Sequence, residues 1–321
     1  MNELIHRLTS RPIIAVEMLF GSFLVNIMAM ASPLFVMQVL NRYVGQGVDA
    51  TLITLTSGVL LAVLFEFLLR KSRLSIARGI WAGPDERTAA AGYDALLKAK
   101  SSALEGAPAN ARKDMGGNIV AIETAYNANN MASVLDAPFS LLFVFVLYLI
   151  EPLLALIVAG FIIAVFVIGV LSHKKSLRTI QALQQLTPVG SGLLSTATRE
   201  GDTVRGFNAA PYLKDRWGGH LREVQGLRRD LVSAQGTVQT ITQSATALMS
   251  VAIIAVGAVL VVMGKLDVGA MIGGNILAAR ALQPITKLTQ LGSLFSKARE
   301  AMAMFDQLET LAAEPEGGAT P

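Results

Sequence analysis

The sequence contains no cysteine in its 321 residues. That excludes disulfides and thiolate metal sites, and is otherwise silent on compartment. Charge is scarce as well: Asp, Glu, Lys and Arg make up 16% of the chain, against about 25% in a typical soluble domain. Histidine occurs only as His6, His173 and His220. None forms an i, i+4 pair or sits among carboxylates at metal-ligand spacing, so no metal site is expected. The basic residues alternate with acids and form no stripe, which argues against nucleic acid as a partner. No G-x-x-x-x-G-K-[ST] run exists either. Gly264-Lys265 is followed by Leu266 and has Val259 where the first glycine belongs, so the loop that cradles nucleotide phosphates is absent. No catalytic residue is assigned.

Apolar residues are what the chain has in quantity, 53% with a mean hydropathy of +0.53. Six stretches read as membrane spans: 12–40, 51–69, 134–150, 153–171, 245–263 and 268–287. A helix needs about 20 apolar residues to cross a hydrocarbon core of about 30 Å. The first stretch mimics a cleaved signal with Ala-Met-Ala at 29–31. It stays apolar on both sides of that site and exceeds the roughly 7–15 residues of a signal core, so it is read as a span.

The connections after spans one, three and five are short, and those after spans two and four are long. The long ones, 70–133 and 172–244, hold nine and ten Lys and Arg, and Arg7 and Arg11 precede the first span. By the positive-inside rule both termini and both long connections are cytoplasmic. The long connections are helical by pattern. Leu177, Ile180, Leu183 and Leu186 recur every three residues; Leu221, Val224, Leu227 and Leu231 recur at three and four. That spacing lines one helix face. Each connection is expected to be a stiff helical hairpin, because a mobile loop would be richer in Gly, Ser and Pro.

The pattern breaks at each hairpin tip, in "SSALEGAPANARKDMGG" and "GFNAAPYLKDRWGGH". A small helix across each end is expected, at about 105–113 and 209–217. Leu104, Glu105 and Arg112 at the first tip, and Tyr212, Leu213, Arg216 and Trp217 at the second, are the candidate docking residues. Aromatics among arginines are the composition of a protein-docking surface; the alternative is that Trp217 plugs its own hairpin. Three ionisable residues fall within spans: Glu17, Glu66 and Arg280. Such charges are costly and mark functional sites by default. Glu66 and Arg280 lie about 22 Å and about 18 Å from the outer ends of their spans, so they can meet. Arg280 either lines a pathway or forms a structural pair; Glu17 is near enough to the cytoplasmic face to snorkel. Gly79–Gly83 ("GIWAG") is a small-xxx-small motif beyond the lipid, read as ordinary helix packing.

Order and spacing together resemble the membrane domain of an ABC exporter. "SPLFVMQVLNRYV" at 32–44 resembles the first-span exit of type I protein-secretion transporters, with Leu40-Asn41-Arg42 where Tyr-Asp-Arg is usual. "LDAPFSLLFVFVLYLIEPLLALIV" at 135–158 is similar to their third and fourth spans, and "VGAMIGGNILAARALQPITKL" at 268–288 to their sixth. The resemblance implies an all-α, polytopic fold of six transmembrane helices with long cytoplasmic extensions. Its parts would be an N-terminal segment 1–11, a six-helix domain 12–308 with hairpins 70–133 and 172–244, and a linker-like tail 309–321.

It further implies a permease in the bacterial inner membrane, surrounded by lipid and working as a homodimer. ATP and Mg would bind a partner nucleotide-binding domain rather than this chain. A polypeptide would be the cargo, passed to a periplasmic adaptor and an outer-membrane channel. A small-molecule or lipid exporter, and a non-transporting scaffold paired with a complete transporter, remain open readings.

Overall fold

The computed structural model describes residues 12–45, 47, 49–98 and 115–309. These residues contain helices and turns and no strand. Helix α1 (Pro12–Ala29) and α2 (Ala31–Gln38) run into a π-helical segment, Val39–Val44. Then come α3 (Asp49–Lys98), α4 (Met115–Ala125), α5 (Ala128–Asp136), a 3₁₀ turn at Ala137–Phe139 and α6 (Ser140–Ile150). The chain continues through α7 (Pro152–Arg199), α8 (Gly201–Gly206), α9 (Ala210–Val262) and α10 (Val268–Glu309).

Helices α3, α7 and α9 have 50, 48 and 53 residues. At 1.5 Å per residue each is about 70–80 Å long, more than twice a hydrocarbon core. Their ends carry readable stop signals. Gly264 has φ +71, and the amide of Lys265 donates to Leu260 O at 2.9 Å across it. This is a left-handed glycine cap that closes α9. Pro152 opens α7 in the first turn, where its missing N–H costs nothing. Asn127 caps α5, its Oδ1 accepting from the Asn130 amide at 2.9 Å.

Among the described residues, five helical stretches are long and apolar enough to cross a membrane: Pro12–Val44, Asp49–Ala77, Gly117–Ile150, Pro152–Arg199 and Ala210–Val262. The expected sixth, 268–287, is helical within α10 but does not meet that standard. Asn275, Arg280, Gln283 and Lys287 interrupt it. The reason lies in its surroundings. Gly273, Gly274, Leu277, Ala278, Ala281, Leu282, Pro284 and Ile285 are buried. A helix covered by protein on one side does not need apolar residues all round.

The contacts divide the chain into two compact units. The first gathers Met1–Trp81, Asn127–Val170 and Val238–Leu291. Its core is apolar, with Met37, Phe143, Leu147, Leu154, Val158, Met249, Ile253, Leu277 and Leu282 at its centre. The second gathers Ala82–Tyr126, Leu171–Thr237 and Gly292–Pro321. Here Ile122, Tyr126, Ile180, Leu231, Ala298 and Phe305 are buried, and Tyr126 packs on Phe295 at 5.6 Å between ring centroids. Ile180 and Leu231 come from the two stripes read in the sequence.

Candidate functional site

Four polar residues converge in the first unit. Arg73 of α3 is only 5% exposed. Its Nη1 donates to Ser22 Oγ at 2.7 Å and to Asp136 Oδ1 at 2.5 Å, and its Nη2 to Asp136 Oδ2 at 3.1 Å. Asn26 donates to Ser22 O at 2.8 Å and to Asp136 Oδ1 at 3.3 Å. Ser22 and Asn26 share one face of α1 at i, i+4. Asp136 ends α5 beside the Pro138 turn, which aims its carboxylate at α3. A two-oxygen grip on a guanidinium fixes orientation as well as neutralising charge. The group thus ties three spans at one level.

A second polar contact joins α10 to the π-helical segment. Asn41 donates to Asp267 Oδ2 at 3.3 Å and accepts from the Gly269 amide at 3.1 Å. The hydrogen bond of a π-segment spans one residue more than that of an α-helix, which rotates its side chains relative to a regular helix, and here Asn41 reaches the first turn of α10. The approach is close. A Cβ on Gly269 would lie 2.6 Å from Met37 O, and one on Gly273 would lie 2.2 Å from Met37 Cγ.

Glu66 and Arg280 do not pair as expected. Glu66 is held by Arg70 one turn along α3, with Nε and Nη2 both donating to Oε1 at 2.9 and 2.8 Å. The i+4 neighbour is always within reach on the same helix, so Glu66 needs no partner from span six. Arg280 is half-buried and makes no ion pair or hydrogen bond among the described residues. It lines a polar cavity of about 220 Å³ with Asn26, Arg70, Asp136, Gln283 and Lys287. Glu17 is exposed on α1.

The first tip, with Leu104, Glu105 and Arg112, lies outside the described residues. At the second, the short helix is α8, Gly201–Gly206, and not 209–217 as expected. Asn208 supplies the stop, at φ 49, with the Ala209 amide donating to Val204 O at 2.9 Å. Asparagine tolerates this left-handed conformation better than most residues. Pro211 then sits in the first turn of α9, where proline is accepted. Tyr212, Leu213, Arg216 and Trp217 are therefore on the opening turns of a 53-residue helix. Phe207 is 83% exposed and Tyr212 63%, and the Arg216 guanidinium lies 5.9 Å from the Tyr212 ring centroid. Leu213 and Trp217 are half-buried. Trp217 packs on His220 at 5.7 Å, and the absence of a side chain at Gly190 leaves room for that imidazole. So Trp217 partly fills its own hairpin while its neighbours face outward.

Elsewhere in the second unit, burial raises the Glu300 carboxyl above its usual pKa, and a hydrogen bond from Gln184 works the other way.

The sequence profile of the ABC transporter transmembrane region matches residues 114–284, more than half of the chain. The chain belongs to this family. Its relatives include the cyclolysin secretion/processing ATP-binding protein CyaB of Bordetella pertussis, 22% identical over 286 residues. The leukotoxin export ATP-binding protein LtxB of Aggregatibacter actinomycetemcomitans is 24% identical over 289 residues. The leukotoxin translocation ATP-binding protein LktB of Mannheimia haemolytica is 23% identical over 295. These alignments cover 88–89% of this chain and 40% of each relative. The chain spans about two-fifths of the length of the curated relatives it matches.

As an ABC transporter transmembrane region, the chain carries three features that sequence reasoning passed over. The Ser22–Asn26–Arg73–Asp136 group was visible as two polar residues one turn apart in an apolar span, facing an Asp-x-Pro-aromatic run. Gly269 and Gly273 form a G-x-x-x-G, a signal for close helix approach in membranes. Phe207 is an aromatic between Gly206 and Asn208, and it is 83% exposed.

Proposed function

We propose that this chain is the permease part of an ABC exporter of the type I secretion kind, moving a polypeptide out of the cell. Two copies would form the twelve-span pore in the inner membrane, with both termini cytoplasmic. ATP and Mg would act on a nucleotide-binding domain elsewhere in the assembly. The observation that carries this reading is the second tip: exposed Phe207, Tyr212 and Arg216 where two helices of 48 and 53 residues turn. Exposed aromatics beside arginine are the usual anchors of a protein interface. A rigid helix passes displacement along its length, so closure of the ATPase at the tip would re-pack the spans between two discrete states. The outer turns are short, which leaves a periplasmic adaptor little of this chain to grip. The relatives, named for cyclolysin secretion and leukotoxin export, favour polypeptide cargo over a small molecule.

The test is ATP hydrolysis that co-purifies with the tagged chain. Phe207→Glu and Tyr212→Glu place an anion in the interface and are expected to lower the bound activity roughly tenfold, the effect of losing one aromatic anchor. The folded state should be unaffected, since both side chains are exposed. Unchanged co-purification in both variants contradicts docking at this tip. Association with a complete transporter, without dependence on the tip, would make the chain a scaffold.

A further inference from the structure

We infer that the cavity between α1, α3, α5 and α10 binds the phosphate of an acidic phospholipid from the cytoplasmic leaflet. The inference rests on the topology given under the proposed function, but not on an ATPase or a cargo.

The charges decide the ligand's sign. Arg70, Arg280 and Lys287 line the cavity, and Asp136 is its carboxylate. Asp136 is already neutralised by Arg73, and the Glu66 carboxylate by Arg70. Counting Arg70, Arg73, Arg280 and Lys287 against Glu66 and Asp136 leaves a surplus of two positive charges. Arg280 and Lys287 carry that surplus, with no acid in contact among the described residues.

The geometry supports a built site. Arg280, Gln283, Pro284 and Lys287 all line the cavity. They follow i, i+3, i+4, i+7 spacing, so they occupy one face of α10. Gln283 adds an amide donor. At about 220 Å³ the cavity is smaller than the roughly 300–1,000 Å³ of drug-sized pockets. It suits a headgroup and not a length of peptide.

Depth decides between lipid and other anions. Arg70 follows span two directly and Lys287 ends span six, so the cavity opens where hydrocarbon gives way to headgroups. Arg280 lies about 10 Å deeper along the helix, at the level of the glycerol and first acyl carbons. Along α3, Leu60, Leu64, Phe67 and Leu68 are exposed and offer an apolar track for the acyl chains. Basic pockets between spans on the cytoplasmic side are suited to anionic headgroups.

The purified full chain, reconstituted in nanodiscs of mixed phosphatidylglycerol and phosphatidylcholine, is extracted and its retained lipid is measured by native mass spectrometry. Phosphatidylglycerol is expected to be enriched. Arg280→Gln and Lys287→Gln should each lower the enrichment roughly fivefold, the weight of one cation near an anionic surface. Arg280→Lys and Lys287→Arg should retain it, which separates lost charge from lost folding. Enrichment that survives both neutral substitutions in folded protein overturns the proposal. Equal protection against thermal unfolding by inorganic phosphate without lipid, or by an acidic peptide, also overturns it. Loss of ATPase association leaves this binding unchanged, so the two readings fail separately.

Discussion

Asp136→Ala is expected to destabilise the protein by about 3–5 kcal/mol. The substitution leaves the Arg73 guanidinium buried, 5% exposed, with Ser22 Oγ as its remaining acceptor. A buried charge without its partner carries most of its desolvation cost uncompensated. Asp136→Asn keeps an acceptor without the charge and should fall between wild type and alanine. The double substitution Arg73→Met, Asp136→Leu removes both charges and should recover most of the loss, because a buried pair contributes little over well-packed apolar side chains. Thermal unfolding in one detergent, read as a double-mutant cycle, checks this. If the double variant is as unstable as the single substitutions Arg73→Met and Asp136→Leu summed, the two residues act independently and form no network.

The second large effect is expected at the N-terminal end of α10. Gly269→Ala puts a methyl group 2.6 Å from the Met37 carbonyl oxygen and 2.3 Å from Asn41 Oδ1. A backbone atom cannot rotate aside, so the helices must part, at about 3 kcal/mol, the upper part of the range for overpacking. Gly273→Ala meets chiefly the Met37 side chain, at 2.2 and 2.6 Å. Methionine adapts, so its cost should be smaller. Gly160→Ala within α7 has nothing within 4 Å and should be neutral or slightly stabilising through helix propensity. The order Gly269, Gly273, Gly160 in thermal stability is the expected result. Equal effects at all three would mean that α10 and the π-segment do not touch.

Much of the architecture was legible because lipid-facing helices have few ways to be written. Charge-free runs and the leucine stripes at 177–186 and 221–231 each specify helix by a direct physical rule. Span six was less legible by hydropathy because protein covers one side of it, and Arg280 and Lys287 then become tolerable. Pairing was the weakest inference. Depth alone allowed Glu66 to meet Arg280, but depth does not fix the rotation of a helix, and Arg70 was always nearer. The buried network was missed for a related reason: Ser22 and Asn26 carry no charge, and a search for ionisable residues passes over them. At the second tip, the aromatics were visible but the boundary was not. Asn208 adopts a positive φ without glycine, and no turn signal in the sequence separates 201–206 from 210 onward as clearly as that one dihedral does.

Topology is the claim on which the rest depends, and the absence of cysteine makes it simple to measure. Tyr212→Cys and Met263→Cys each introduce a single thiol at an exposed position, with no background to remove. A membrane-impermeant maleimide applied to intact spheroplasts should label position 263 and leave position 212 untouched until the membrane is opened. Labelling of 212 from outside, with 263 protected, would contradict a cytoplasmic tip and with it the proposed coupling to an ATPase.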